Sequence, residues 1–308
     1  AAENGIKFLN AQGMKLSESQ EQALEAYLAS LPEGALNLPE TGRRVDGSQY
    51  YELYLQDLLA TQKDLDLSGL KILLDCSNGA SHRIGPELFR RLGAEVIALH
   101  TESDGVNINV QSGSEYARSK PQALAALIAE RHADFAITFD GDADRVILMD
   151  ENGQLIDGDH VLAILADALH RENSLLANTL VTTVMANGAL HQFAAEHHFE
   201  LIQTPVGDKY VTEALLGLMA QNTADGQFGL GGEQSGHIIL LDANHRTGDG
   251  LRTALFLLRV LLQQEKPSLA ALASQIQKYP QLIASCNVAS KPDLKTLLPL
   301  QVKLDEVK

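Results

Sequence analysis

The chain has 308 residues, 45% of them apolar and 21% charged. That length exceeds one small core and suits about two domains, and the apolar content excludes intrinsic disorder. Twenty-four Lys and Arg against 40 Asp and Glu leave a formal charge of −16, which disfavours a nucleic-acid or anionic-membrane partner.

Residues 1–46 read as the remnant of a domain followed by a linker. Ala1-Ala2-Glu3-Asn4-Gly5 carries no initiator Met and no signal-peptide pattern, so a start within a domain is expected. Ile6 to Asn10 and Met14 to Leu16 flank a turn and predict a strand pair. Ser17 and Gln20 make a capping box for a helix that runs to Leu31 and stops at Pro32. The Pro- and Gly-containing stretch to Ser48 reads as a loop.

From Tyr50 the pattern becomes repetitive. A helix (Tyr50 to Gln62) leads to a short apolar strand (Leu70 to Asp75), a helix near Gly85 to Leu92 and a strand at Glu95 to Leu99. A helix around Gln122 to Arg131 precedes a strand at Phe135 to Phe139. The alternation restarts after Asn152-Gly153, with helices at Gly158 to Arg171, Ala189 to His197 and Lys209 to Leu218. Strands are predicted at Leu180 to Met185, Glu200 to Gln203 and Ile238 to Leu241, with a Gly-rich loop from Gly229 and a long helix at Gly250 to Gln263. After Tyr279-Pro280, a strand at Leu282 to Val288 begins a further element. The fold class is therefore α/β: two consecutive three-layer domains with mostly parallel sheets, plus a partial N-terminal domain. The boundaries fall at 1–46, 47–154, 155–279 and 280–308, and the two central blocks resemble a structural duplication. The longest apolar runs, such as Leu162 to Leu165, are far short of a bilayer span. Cys76 and Cys286 lie outside any CxxC pair, so a reducing, cytoplasmic setting is expected.

Chemistry concentrates in two segments. In Phe139-Asp140-Gly141-Asp142-Ala143-Asp144-Arg145, three carboxylates at i, i+2 and i+4 project to one side. Their repulsion calls for a cation, and an all-oxygen set suits Mg²⁺ with a phosphoryl oxygen completing the shell. Arg145 could pair with that phosphoryl group or simply compensate the aspartates. An EF-hand reading fails at its sixth position, which holds Arg145 instead of Gly. A phosphatase with Asp140 as nucleophile and Asp142 as acid, and a solvated acidic turn, remain as alternatives. The second segment is Gly229-Leu230-Gly231-Gly232-Glu233-Gln234-Ser235-Gly236-His237. Its glycines permit close backbone approach, Glu233 can accept from vicinal hydroxyls, and Ser235 can donate or accept beside it. His237 could contact phosphate or move a proton. A Gly-rich hairpin with a core histidine is the plainer alternative.

Together, in this order and about ninety residues apart, the two segments resemble the α-D-phosphohexomutase superfamily. Asn4 to Phe8, Asp75 to Ala80, Asp104 to Asn109, Val206 to Val211 and Thr247 to Gly250 are similar to segments of its bacterial phosphoglucosamine mutase branch, with phosphomannomutase and phosphoglucomutase as alternatives. The resemblance implies a phosphoprotein of four domains around one cleft, exchanging glucosamine 6-phosphate and glucosamine 1-phosphate for amino-sugar and peptidoglycan precursor synthesis. It implies Mg²⁺ on Asp140, Asp142 and Asp144, Arg145 on the phosphoryl group, and sugar contacts from Gly232, Glu233 and Ser235. Lys209 and His237 become phosphate or acid–base residues. Oligomeric state stays open, with a homodimer as one expectation. The family's Ser-His-Asn-Pro and Arg-x-Ser-Gly-Thr loops are absent here, so the chain alone is expected to retain metal affinity without catalysing the isomerisation.

Overall fold

Ser17 starts the first regular element as its spacing implies. Its side chain accepts from Gln20 N while Gln20 reaches back, capping α1 (Glu18–Ser30). In this computed structural model the described residues are 8–11, 13–32, 34, 42–43, 45–222, 226–282, 287, 290 and 296–307. They divide into two units, Ala1–Lys278 and Tyr279–Lys308. Before α1, the strand pair is reduced to one antiparallel bridge, Leu9 with Lys15; residues 4–7 lie outside the described residues.

The first sheet follows α2 (Ser48–Thr61) and contains β1 (Lys71–Asp75), β2 (Glu95–Leu99), β3 (Phe135–Phe139), β4 (Val146–Met149) and β5 (Leu155–Ile156). Their spatial order is β2-β1-β3-β4-β5. β1 pairs in parallel with β2 and β3, whereas β4 returns antiparallel from β3, and β5 from β4. Between the strands run α3 (Ser81–Arg91), α4 (Gly113–Ser119) and α5 (Pro121–Arg131). The strand interiors are mostly apolar, as in Ile72 to Leu74 and Val146 to Met149, because both faces are covered. Ile72 and Leu74 join the main core, while Leu73 packs on the opposite side with Leu124 and Ile128 of α5.

The second sheet repeats this plan. Its elements are α6 (Gly158–Arg171), β6 (Leu175–Thr183), α7 (Ala189–Glu196), β7 (Glu200–Thr204), α8 (Asp208–Gln221), β8 (Phe228–Gly232), β9 (Ile238–Leu241) and α9 (Gly250–Leu262). The order is β7-β6-β8-β9, with β6 parallel to both neighbours and β9 antiparallel to β8. α6 and α9 are buried along nearly their whole length and contribute to the same core as Ile72 and Leu74. Val211 and Leu215 of α8 cover the other face, against Val181, Ile239 and Leu241. A short α10 (Leu269–Ala273) closes the first unit's described helices, and the second unit contributes α11 (Leu298–Val307).

Three expectations change. The Gly-rich stretch from Gly229 is strand β8, not loop: a Cβ on Gly231 would meet Val211 Cγ1 at 2.7 Å and Val181 O at 2.8 Å. Its glycines let α8 press onto the sheet, and only residues 233–237 form the turn. β6 begins at Leu175, five residues early, and is broken by an irregularity where Ala177 and Asn178 adopt positive φ. α3 begins at Ser81, ahead of Gly85, and α4 carries no sequence signal strong enough to mark it. Most of the strand expected at 282–288, with Cys286, lies outside the described residues.

Candidate functional site

The two chemistry-bearing segments occupy equivalent turns of the two repeats. The acidic one joins β3 to antiparallel β4, and Glu233 to His237 joins β8 to antiparallel β9. They meet directly: Val146 N donates to Gly236 O at 3.0 Å, and Arg145 forms an antiparallel bridge with His237.

One oxygen from each of Asp140, Asp142 and Asp144 lies within 4.8 Å of the others. The turn brings them together because Gly141 and Ala143 (φ 62°) bend the chain tightly at β3's end. Asp140 is only 9% exposed. Burial first, then the charges of Asp144 and Asp142, push its carboxyl up to about 7. A convergent, all-oxygen, mutually repelling set fits a hard divalent cation such as Mg²⁺. Arg145 N donates to Asp140 Oδ1 at 3.1 Å. Its guanidinium sits 3.7 Å from Glu115, 3.8 Å from Asp140 and 3.9 Å from Asp144.

The turn is held from behind by backbone close to backbone. A Cβ on Gly79 would lie 2.1 Å from Gly141 O, and Ala80 N donates to that same oxygen at 2.8 Å. The loop after β1 is in turn organised by Asp75, which accepts from Ser77 N and Gly113 N, both at 2.9 Å, and pairs with His100 at 2.9 Å. The hydrogen bond that His100 donates to this carboxylate raises the His100 pKa against the opposing effect of burial. Ser77 hydroxyl donates to Asn109 Oδ1 at 2.6 Å, tying the 103–110 segment to the same loop.

A cleft of about 1670 Å³ opens in front of these turns. Of the expected residues, Asp142, Asp144, Lys209 and His237 line it. Asp140 and Arg145 stand behind Asp142 and Asp144, outside that lining. Gly232, Glu233 and Ser235 also stand outside it. Gly232 is buried within β8 with its carbonyl taken by Thr182 hydroxyl at 2.9 Å. Glu233 turns to accept from Gly207 N at 3.1 Å, ahead of α8. Ser235 is half-buried. His237 Nε2 lies 3.4 Å from Asp208 Oδ2 and 3.5 Å from Asp144 Oδ2. Lys209 Nζ lies 3.8 Å from Glu18 and 3.9 Å from Glu21 of α1.

Two lining residues were not marked by spacing. Asp208 carries an ion pair with Lys15, which comes from the turn before α1, far away in sequence. Burial acts to raise Asp208, but the Lys15 hydrogen bond and the His237 and Lys15 charges outweigh it and hold the carboxyl low. Asp208 lies in the Val206 to Val211 segment that carried the family likeness; Lys15 had no comparable signal.

Residues 52–153 match the α/β/α domain II of phosphoglucomutase/phosphomannomutase, and residues 157–279 match its α/β/α domain III. The chain belongs to this α-D-phosphohexomutase superfamily. Relatives named phosphoglucosamine mutase include that of Symbiobacterium thermophilum, 42% identical over 94% of this chain and 62% of the relative. Another, from Pelobacter propionicus, is 40% identical over 99% of this chain and 65% of the relative. The chain thus spans under two thirds of these relatives' length. Among solved structures, a phosphoglucomutase/phosphomannomutase family protein from Burkholderia thailandensis aligns at TM-score 0.65 and 25% identity, covering 87% of this chain and 54% of that one. The Aspergillus fumigatus N-acetylphosphoglucosamine mutase, in complex with GlcNAc-6P and magnesium, shares the fold at TM-score 0.65 and 18% identity, covering 84% of this chain and 61% of that one. No helix among the described residues is long and apolar enough to cross a membrane.

Proposed function

We propose that this chain forms the central part of a phosphoglucosamine mutase, interconverting glucosamine 6-phosphate and glucosamine 1-phosphate in the cytoplasm. Residues 47–154 and 155–279 would act as the second and third of four domains, with 1–46 and 280–308 belonging to the first and fourth. The observation that carries this reading is the direct hydrogen bonding of the acidic turn to the Glu233–His237 turn at one cleft. The name shared by relatives about 40% identical supports glucosamine phosphate as the substrate.

Asp140, Asp142 and Asp144 would hold Mg²⁺, which when bound supplies a Lewis acid to the transferring phosphoryl group. Arg145 keeps the trio's negative charge partly balanced and stands behind Asp144, where its fork can turn to a phosphoryl oxygen. Lys209, on the wall formed by α8, offers a point charge to an anionic substrate. His237 is anchored between Asp208 and Asp144, in position to hold a proton for a sugar hydroxyl at Nε2. Glu233 and Ser235 would bind sugar hydroxyls once Glu233 exchanges its bond to Gly207 N for the ligand.

The test is a coupled assay on the gene's full product with glucosamine, glucose and mannose 6-phosphates, with and without Mg²⁺. Preference for glucosamine 6-phosphate with metal dependence is expected. Preference for glucose or mannose overturns the substrate. Phosphate release with label on Asp140 overturns the reaction class.

A further inference from the structure

The cleft presents a problem of charge. Its lining carries the carboxylates Glu21, Glu25, Asp142, Asp144, Asp208 and Glu213. Two of its cations are already engaged: Lys15 with Asp208, and Lys209 with Glu18 and Glu21 of α1. The third is Arg246, on the segment joining β9 to α9. Arg246 is half-buried, lines the cleft beside Thr247 and Gly248, and makes no hydrogen bond or ion pair with any described residue.

The segment that carries it is fixed. A Cβ on Gly248 would lie 2.4 Å from His237 Nε2, so the backbone two residues past Arg246 is pressed against the imidazole. On the other side, Asp242 accepts from Asn244 N at 2.7 Å and His245 N at 2.8 Å. The N-terminus of α9 is closed by Asp249, which accepts from Arg252 N at 2.9 Å. That terminus is therefore occupied by a carboxylate, and the positive charge this segment offers an anion is the Arg246 guanidinium.

A partly desolvated guanidinium with no protein partner gains most from an anion, and its planar fork matches two phosphoryl oxygens. We infer that Arg246 is a phosphate-binding residue of the cleft, taking the phosphoryl end of the hexose phosphate beside His237. The inference rests on the hexose-phosphate reading above and adds to it a contact from the β9–α9 segment.

Calorimetric titration of the gene's full product in saturating Mg²⁺, with glucosamine 6-phosphate, inorganic phosphate and glucosamine as separate probes, tests it. Arg246→Gln should weaken glucosamine 6-phosphate and phosphate binding about ten- to a hundredfold, with glucosamine and Mg²⁺ affinity held within about twofold. Arg246→Lys should recover part of the loss, because the charge returns without the fork. If the unaltered full product binds glucosamine 6-phosphate and Arg246→Gln binds it equally well, the inference is overturned while the functional reading stands. Should the unaltered full product bind Mg²⁺ but no hexose phosphate, the functional reading fails and the inference with it.

Discussion

Val146 N donates to Gly236 O at 3.0 Å, so the turn bearing the three aspartates is bonded to the turn bearing Glu233 and His237. Each turn is the point at which a parallel sheet reverses into its antiparallel closing strand. The duplication thus supplies both halves of the site at matching positions, and the shared core brings the halves together. Gly236 permits the contact. Its φ is +94°, and a Cβ there would lie 2.4 Å from Val146 O.

Gly236→Ala should therefore destabilise the chain by about 2–3 kcal/mol, from backbone strain together with the clash. Urea denaturation measures the first effect. Mg²⁺ titration should also weaken, because the clash pushes Val146, and with it the acidic turn, away. An alanine variant with unchanged stability would mean that the two turns are not in contact.

Much of this arrangement is legible in the chain. α6 runs from Gly158 to Arg171, the bounds its pattern predicts, because Asp157 caps it through His160 and apolar residues fill the buried face. The convergence of Asp140, Asp142 and Asp144 follows from i, i+2, i+4 spacing at a strand end. β8 is not legible as a strand because glycine carries no strand preference; the approach of Val211 and Leu215 explains Gly229 and Gly231. Lys15 carries no local signal, since it sits in an ordinary polar turn and meets Asp208, the first residue of α8, only through the tertiary fold.

Gly79→Ala probes the acidic turn from its other side. The added methyl would fall 2.1 Å from Gly141 O, a backbone atom that cannot swing away as a side chain can. The turn must shift, and Mg²⁺ affinity should fall about tenfold or more, with stability lowered by about 2 kcal/mol. Isothermal titration of the metal checks the first and a thermal melt the second. Retained affinity would place the metal elsewhere.

Asp159 anchors the Glu233–His237 turn. It is fully buried, accepts from Gln234 Nε2 at 2.8 Å and Asn187 N at 3.2 Å, and pairs with Lys278 at 2.9 Å. Asp159→Ala leaves Lys278 with Asp157 as its remaining carboxylate partner and removes the acceptor of the Gln234 Nε2 bond, so a loss of about 3 kcal/mol is expected. Glucosamine 6-phosphate binding should weaken while Mg²⁺ binding persists, a split that separates loosening of one turn from general unfolding.

Asp140 sets the pH response of the metal-free chain. Its carboxyl is raised to about 7, chiefly by burial and then by its two acidic neighbours. A raised carboxyl binds its proton more tightly folded than unfolded, so stability is highest below the ordinary carboxylate range and falls as pH climbs toward 7. The decline should be on the order of 3 kcal/mol in EDTA, shared across the coupled trio. Asp140→Asn should flatten it. With Mg²⁺ present the charged forms are favoured, so binding should release protons and strengthen from pH 5.5 to pH 8, read by titration in buffers of different ionisation heat.

Asp242 gives the opposite slope at acid pH. Burial acts to raise it, but the N–H groups of Asn244 and His245 and the Arg252 guanidinium, 2.6 Å away, bring its carboxyl down to about 2. A lowered carboxyl contributes stability that is complete above the unfolded value near 4 and disappears as pH falls through 2. Arg252 makes the contribution matter: it is 2% exposed, lies over the Phe228 and Phe256 rings, and has Nε and Nη1 without a hydrogen bond among the described residues. Asp242→Asn should therefore cost about 3 kcal/mol at neutral pH, by leaving that buried cation without its charged partner, and should remove part of the loss between pH 4 and pH 2. Acid denaturation of the two proteins side by side measures both. Identical acid midpoints and identical stability at pH 7 would show that Arg252 is held by the aromatic rings alone.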